Sequence, residues 1–431
     1  MTTAPAPEIE VNAGGGSLGA DAWRRLRRDY AAMAALVMLA LVALAAFLTP
    51  LLPLQPPDAV RTKLQYAEPT ISPLWLHDFA FDASRIEATL AEAARLRAEL
   101  PALEAAYDEA AAAYERAAAG LPARLSLEER DALFQPFEES RNAAFDALFR
   151  KRSAIGDAIQ APYTRAGFPE LGALSRWMVR ARWAVFGDRQ LNSLAGRDLF
   201  GRDILSRIFW GARISLMVGL VATMVSLLIG VTCGAVAGYF GGWLDNAMMR
   251  VVDILYSIPF IFVVIFVVTV LNEDHIARRL AYYGVGKITV FYFVVGAIYW
   301  LTMARVVRGQ VISLKTEAFV EAARSLGAGK RRIIFRHLLP NVSSIVLVYL
   351  TLTIPRVMLF EAFLSFLGLG VEAPDVSWGL LAKEGIEVLT PVRIYWWLVL
   401  FPSIALGTTL LALNFLGDGL RDALDPKLRD R

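Results

Sequence analysis

The residues able to do bond chemistry are few and scattered. Three histidines (His77, His275 and His337) and one cysteine, Cys233, share no motif spacing. They make neither a nucleophile–base pair nor a metal-ligand set, and a lone cysteine closes no intrachain disulfide. Two Gly-Lys pairs, Gly286-Lys287 and Gly329-Lys330, are followed by Ile288 and Arg331. A phosphate-binding P-loop needs Ser or Thr at that point to place a hydroxyl on Mg²⁺. The sequence therefore predicts no catalytic residue, no metal site and no cofactor bound by this chain.

What remains are charges set against apolar runs, whose chemistry is recognition and force transmission. The stretch Arg305–Pro340 carries eight Lys or Arg against two Glu. A loop that basic between membrane spans belongs on the cytoplasmic side. Within it, Ala318, Ala322, Ala323 and Leu326 suit a short helix, which Gly327 should stop. Arg331–Leu339 reads as a second short basic helix, closed by Pro340. Charges also fall inside apolar runs, where they are functional candidates by default. One run carries Asp253, Ser257 and Pro259, and another carries Arg356, Glu361 and Ser365. For Asp253 the expected role is an interhelical ion pair near the cytoplasmic end. For Arg356 it is a pair with Glu361 or with a partner subunit, or contact with a substrate carboxylate. A third set, Arg202, Asp203, Arg207 and Arg213, alternates with Leu and Ile and reads as an interfacial amphipathic segment.

The elements that must position these residues are membrane helices. The chain has 431 residues, 56% of them hydrophobic, with a mean hydropathy of +0.46. Soluble domains are about half apolar or less. A net charge of +3 gives no nucleic-acid signature. Six runs are long enough to cross about 30 Å of hydrocarbon: Ala31–Leu52, Ala212–Tyr239, Val251–Leu271, Thr289–Met303, Val342–Phe363 and Ile394–Leu416. Gly219, Gly230, Gly234, Ala235 and Gly238 suit close packing in the second, with Gly234 and Gly238 as a GxxxG pair. Arg24, Arg25, Arg27 and Arg28 precede the first run and hold residues 1–30 in the cytoplasm. Residues 1–20 read as a disordered tail. Counting spans then places 305–340 and the 421–431 tail inside, and 53–195 outside. The 272–288 loop also falls outside despite its bases.

The external insertion changes character from Ser84. Ser84 with Glu87 and Ser126 with Glu129 fit capping boxes, with a turn at Gly120 and Pro122. Leu96, Leu100, Leu103, Tyr107, Ala110, Tyr114 and Ala117 make a coiled-coil seam. Phe134, Phe137, Ala144, Leu148, Ile155 and Ile159 would face it. The hairpin, about 84–160, has arms of about 35 residues, roughly 50 Å long, which Pro101 and Pro136 should kink. It is either a docking surface for an extracytoplasmic partner protein or a structural insertion. Trp177, Trp183 and Phe186 then suggest a return to the membrane interface.

Glu321-Ala322-Ala323, then Gly327, then Leu339-Pro340 resembles the "EAA" loop of ABC importer permeases. Gly201-Arg202-Asp203, Ser206-Arg207 and Gly211-Ala212-Arg213 resemble the dipeptide and oligopeptide branch of that family, although Arg197 stands where its first repeat usually has Thr. Glu361, Ser365, Gly368, Gly370, Pro374, Ser377, Trp378, Gly379 and Asn414–Pro426 match as well. The resemblance, to the second permease of the pair, covers 196–426 and the first span, leaving about 70–190 outside it. It implies an all-α polytopic protein of six transmembrane helices, MetI-like and of the type I importer kind. Added to that is an extracytoplasmic α-helical hairpin. It also implies a second homologous permease, two ATPase subunits carrying ATP and Mg²⁺, an extracytoplasmic substrate-binding protein, and surrounding membrane lipid in a bacterial inner membrane. Glu321, Ala322, Ala323 and Gly327 would contact the ATPase, with Arg324 and Arg331 as polar supports beside Leu339 and Pro340. The mechanism implied is alternating access driven by ATP hydrolysis on other chains. A stand-alone ion-coupled carrier would instead show internal repeats and paired mid-membrane acids, and a coiled-coil scaffold would need one span only.

Overall fold

The computed structural model describes residues 18–120, 126–271, 273–283 and 285–424. Residues 1–17 of the tail, Pro122 in the predicted turn, and Asp425 and Pro426 lie outside them. Leu18–Leu26 is a helix (α1). The first span follows as Tyr30–Leu48 (α2). It starts where the Asp29 carboxylate accepts from the amides of Ala31 and Ala32, satisfying donors that a helix start leaves bare.

The remaining elements are α3 (Arg85–Ala98), α4 (Leu100–Ala119), α5 (Leu127–Arg165), α6 (Ala173–Phe186), α7 (Ile204–Phe240), α8 (Gly242–Ser257), α9 (Phe260–Leu271), α10 (Asp274–Tyr282), α11 (Lys287–Leu314), α12 (Ala318–Ser325), α13 (Lys330–Arg332), α14 (Leu339–Phe366), α15 (Trp378–Glu387) and α16 (Trp396–Leu424). Among the described residues, five helices are long and apolar enough to cross a membrane, or six if the bent pair α8–α9 counts as one span.

That pair is the largest departure from the expected spans. Val251–Leu271 is not a straight helix, because α8 and α9 meet at 85°. Pro259 sits at the break, where its ring removes an amide donor and blocks a continuous helix. The other spans outgrow their apolar cores. Thr289–Met303 extends to Lys287–Leu314, and Ala212–Tyr239 begins eight residues earlier, at Ile204.

α7 and α11 run side by side in the same direction and form the centre of the bundle. Their approach depends on the predicted GxxxG pair. A Cβ on Gly234 would lie 2.4 Å from the Ala304 carbonyl, and one on Gly238 2.8 Å from that of Arg308. Neither site can hold a side chain. α14 packs along α7, and α16 along α2 and α14. Gly419 of α16 meets Ala32, and Ala22 and Leu26 pack against Ala423. One end of the bundle therefore gathers α1, the start of α2, the end of α16 and α12. At the other end Thr49 donates to the Phe209 carbonyl at 3.3 Å, Trp378 Nε1 to that of Ile208 at 2.9 Å, and the insertion begins.

The insertion is a helical hairpin with α3 and α4 antiparallel to α5. Lys151–Glu99 at 2.6 Å and Arg152–Glu104 at 2.7 Å close its base. Arg141 lies 4.0 Å over Tyr114 farther out. The predicted seam faces inward except Phe137, which is exposed, and Phe145 packs at a tilt against Tyr107. Pro101 marks the α3–α4 break, but Pro136 sits inside an unbroken 39-residue α5. The Ser126–Glu129 capping box forms. That at Ser84 does not, since Ser84 bonds the Asp82 carboxylate instead. A two-stranded antiparallel ladder, β1 (Trp75–His77) with β2 (Arg189–Leu191), ties the hairpin's two roots together.

Candidate coupling and translocation sites

α12 is mounted by two residues and presents the rest. Val320 and Ala323 are buried, Val320 in a cluster with Val307 and Val311 of α11, Ile333, Ile334 and Leu338. Spacing of three on a helix puts them on one face. Glu321, Ala322, Arg324 and Arg331 do not share that seat; Glu321, Arg324 and Arg331 are exposed. The helix ends as its glycine requires. Gly327 has φ +81°, the amide of Ala328 reaches back to the Ala323 carbonyl at 3.0 Å, and that of Gly327 to Arg324 at 3.0 Å. This left-handed closure is what glycine tolerates and L side chains resist. It leaves Leu326 88% exposed at the tip.

The second basic segment differs from the expectation. Pro340 does not close it. Lys330–Arg332, a π-helical stretch Ile333–Leu338 and α14 form one continuous helix. Pro340 follows the π-helical stretch directly; it supplies no amide, and the wider turn, in which the Leu339 amide donates to the Ile334 carbonyl, carries the helix past it. Leu339 is half-buried there and Pro340 exposed. The short turn 326–329 joins α12 to this long helix.

Two ties that the sequence reading did not identify fix the other side of this mount. Arg308 of α11 grips Asp245 of α8 through two bonds, at 2.5 and 2.8 Å, and Lys315 donates to the Gly238 carbonyl at 3.0 Å. Arg308 shares a polar turn of α11 with Arg305 and Gln310, but nothing in its spacing names Asp245 as its partner.

The intramembrane charges divide. Asp253 pairs with Arg305 of α11 at 2.8 Å, and Arg305 also covers Tyr256 at 4.5 Å. This is an interhelical pair, placed about 16 Å into α8 at 1.5 Å per residue, one turn before the bend. Asp253, Ser257 and Pro259 are exposed on an open face. Arg356 of α14 opens onto solvent from the same assembly of helices. It makes no ion pair among the described residues, and its carbonyl accepts from the Tyr299 hydroxyl at 3.4 Å. The expected Arg356–Glu361 pair does not form. Glu361 and Ser365 are buried, away from the open face. Ser365 donates to Glu361 at 2.7 Å and accepts from the Val371 amide at 3.1 Å. They clamp the turn after α14.

The Gly-Arg-Asp segment is likewise not laid on an interface; its charges are the buried part. Asp198 accepts from Arg202 Nε at 2.7 Å and from Arg207 at 2.8 Å. Arg207 also grips Glu384 of α15. Asp203 caps α7 by accepting from the Ser206 amide at 2.8 Å, and from the Ser193 hydroxyl at 2.8 Å. Burial raises the Asp203 carboxyl to about 6, against the pull of those hydrogen bonds and of Arg197. Arg213 is half-buried and donates to Ser175 of α6 at 2.9 Å. These residues weld α7, α15 and the insertion together.

Comparison with known proteins places this architecture. Residues 230–430 match the profile of the binding-protein-dependent transport system inner membrane component. Residues 17–69 match that of the N-terminal transmembrane domain of oligopeptide transport permease C. The dipeptide transport system permease protein DppC of Bacillus subtilis is 44% identical over 234 residues, 54% of this chain and 68% of that protein. The oligopeptide transport system permease protein OppC of Escherichia coli K12 is 47% identical over 250 residues, 57% of this chain and 78% of that protein. The glutathione transport system permease protein GsiD of Escherichia coli O6:K15:H31 is 41% identical over 236 residues, 54% and 72% of the two chains. The chain belongs to the family of inner membrane components of binding-protein-dependent transport systems.

Proposed function

We propose that this chain is a permease subunit of an ATP-driven importer for short peptides, and that it performs no bond chemistry itself. The observation that carries this reading is the mounted helix α12. Two buried residues seat it between α11 and α14, and an exposed rim ends in the bare Leu326. Such a rim transmits force only if another subunit grips it. An ATPase pair holding this helix and its counterpart on a second permease would move the spans as rigid bodies. The unbroken run from Lys330 into α14 supports that transmission.

Orientation follows from charge. The end bearing α12 also bears Arg24, Arg25, Arg27, Arg28 and Lys330–Arg332, so it faces the cytoplasm with both termini. The hairpin then stands outside, where it offers a docking surface to the binding protein. The open face of α8, α9, α11 and α14 lines half of the pathway. Arg356 there is a cation without an ion-pair partner among the described residues, suited to a peptide carboxylate. The relatives' names, dipeptide, oligopeptide and glutathione permeases, support the peptide class.

Uptake of a labelled tripeptide into proteoliposomes holding the assembled transporter tests the reading. ATP-dependent uptake in the parent, abolished by Gly327→Asp with assembly retained or lost, is expected. Uptake that proceeds without any ATPase subunit would contradict it.

A further inference from the structure

We propose that α6 is a surface anchor that lies along the phospholipid layer, a lipid site separate from the spans. The claim needs only that the chain crosses a membrane, so it stands or falls independently of the solute. α6 is tied to two spans where they leave the apolar layer. Arg182 donates to the carbonyls of Leu52 and Leu54, just past the end of the first span, at 3.0 and 3.1 Å. Seven residues earlier, Ser175 accepts from Arg213, in the third turn of α7. Thr49 meets the Phe209 carbonyl, which puts the Leu52 and Leu54 anchor just outside that level and the Arg213 backbone about one turn inside it, a turn that its long side chain can span. A helix pinned on both sides of that level is held at the boundary of the apolar layer, and we infer from its exposed stripe that it lies along it.

Its sequence divides into three sectors at about 100° per residue. Ser175, Met178, Val179 and Arg182 are buried against the protein. About a third of a turn away, Leu174, Trp177 and Val185 are 54%, 59% and 71% exposed, with Ala181 and Ala184 between them. On the remaining side lies Arg180, exposed. Protein on one side, bare apolar groups on the second and a cation on the third is the arrangement of an interfacial helix. Trp177 is the residue type such a boundary favours. Of the three aromatics that the sequence placed at the interface, Trp183 instead packs inward beside Phe79 and Phe81. Water is a poor partner for this stripe, and its continuity with the end of the first span selects lipid as the occupant.

Spin labels test this in the full chain, purified as assembled and placed in phosphatidylethanolamine–phosphatidylglycerol nanodiscs. Leu174→Cys, Trp177→Cys, Val185→Cys and Arg180→Cys are made with Cys233→Ala, and Leu133→Cys on the exposed hairpin serves as the wet control. Collision with oxygen over collision with a water-soluble nickel chelate should invert, high at 174, 177 and 185 and low at 180 and 133. Nickel access at 177 equal to that at 133 overturns the proposal, and so does exclusion of both reagents, which would mean a protein covers the stripe. An independent reading uses the native residue. Brominated acyl chains should quench emission in the parent more than in Trp177→Phe, and equal quenching contradicts the anchor.

Discussion

Asp203 shows how much work a single carboxylate does at the head of the central span. One oxygen caps α7 and the other holds Ser193, inside a site that raises its pKa to about 6. The folded value lies above the unfolded one, so the folded state binds the extra proton between about pH 4 and 6. Stability from this group is full below the unfolded value and is lost as pH rises through 6. Asp203→Asn keeps a capping acceptor and removes the titration. Thermal unfolding in detergent should show the parent losing about 3 kcal/mol relative to the variant between pH 4 and pH 8, and parallel pH curves would contradict the assignment. Arg207→Ala, which removes the buried cation between Asp198 and Glu384, should destabilise by about 3–5 kcal/mol, whereas Glu384→Gln, which keeps one acceptor for Arg207 and leaves the Asp198 pair in place, should cost less in the same assay. The Gly-Arg-Asp repeat was legible as a special segment, but its burial was not. Alternating Arg and Asp look the same in sequence whether they face a lipid boundary or one another. The deciding partner, Glu384, lies 177 residues downstream of Arg207. Glu361 and Ser365 illustrate the same limit, since polarity marked them while burial assigned them to a turn.

Elements with strong local patterns were read correctly and those set by tertiary contacts were not. Apolar length located the spans, and the Ala-rich stretch ending at Gly327 located α12. The three- and four-residue spacing located the hairpin. The 85° break at Pro259, the run of helix through Pro340 and the passage of α5 through Pro136 went unforeseen, because a proline's effect depends on what holds the turns around it. Equally hidden was the contact between hairpin and bundle. Tyr282 of α10 lies 5.1 Å from Phe145 and 6.3 Å from Tyr107, and Arg152 covers it at 4.5 Å. This contact braces the segment between the bent span and α11. Tyr282→Ala should weaken it by about 1–2 kcal/mol. Hydrogen exchange should then quicken in α10 and the facing turn of α5, leaving α7 and α11 unchanged. Unaltered exchange in α10 would remove the brace. Deleting 84–160 should reduce uptake at low binding-protein concentration if the hairpin is a docking surface, and undiminished uptake at normal expression would leave it a structural insertion.

At the scale of the whole molecule, two ends of one bundle are specialised differently. One gathers bases, both described chain ends and the mounted helix α12; the other gathers a buried charge network, a surface helix and the hairpin. Between them α7 and α11 are locked by glycine contacts, while α8, α9 and the outer face of α14 stay open. A short turn, 326–329, links α12 to the continuous helix that runs from Lys330 through the π-helical stretch into α14. The most direct measurement places a photocrosslinker at Ala322→Cys, with Cys233→Ser, in membranes containing the whole transporter. The account predicts a covalent adduct with a nucleotide-hydrolysing subunit, formed when the label is delivered from the cytoplasmic side. A label that reaches position 322 only from outside, or an adduct with no ATPase in it, would contradict it.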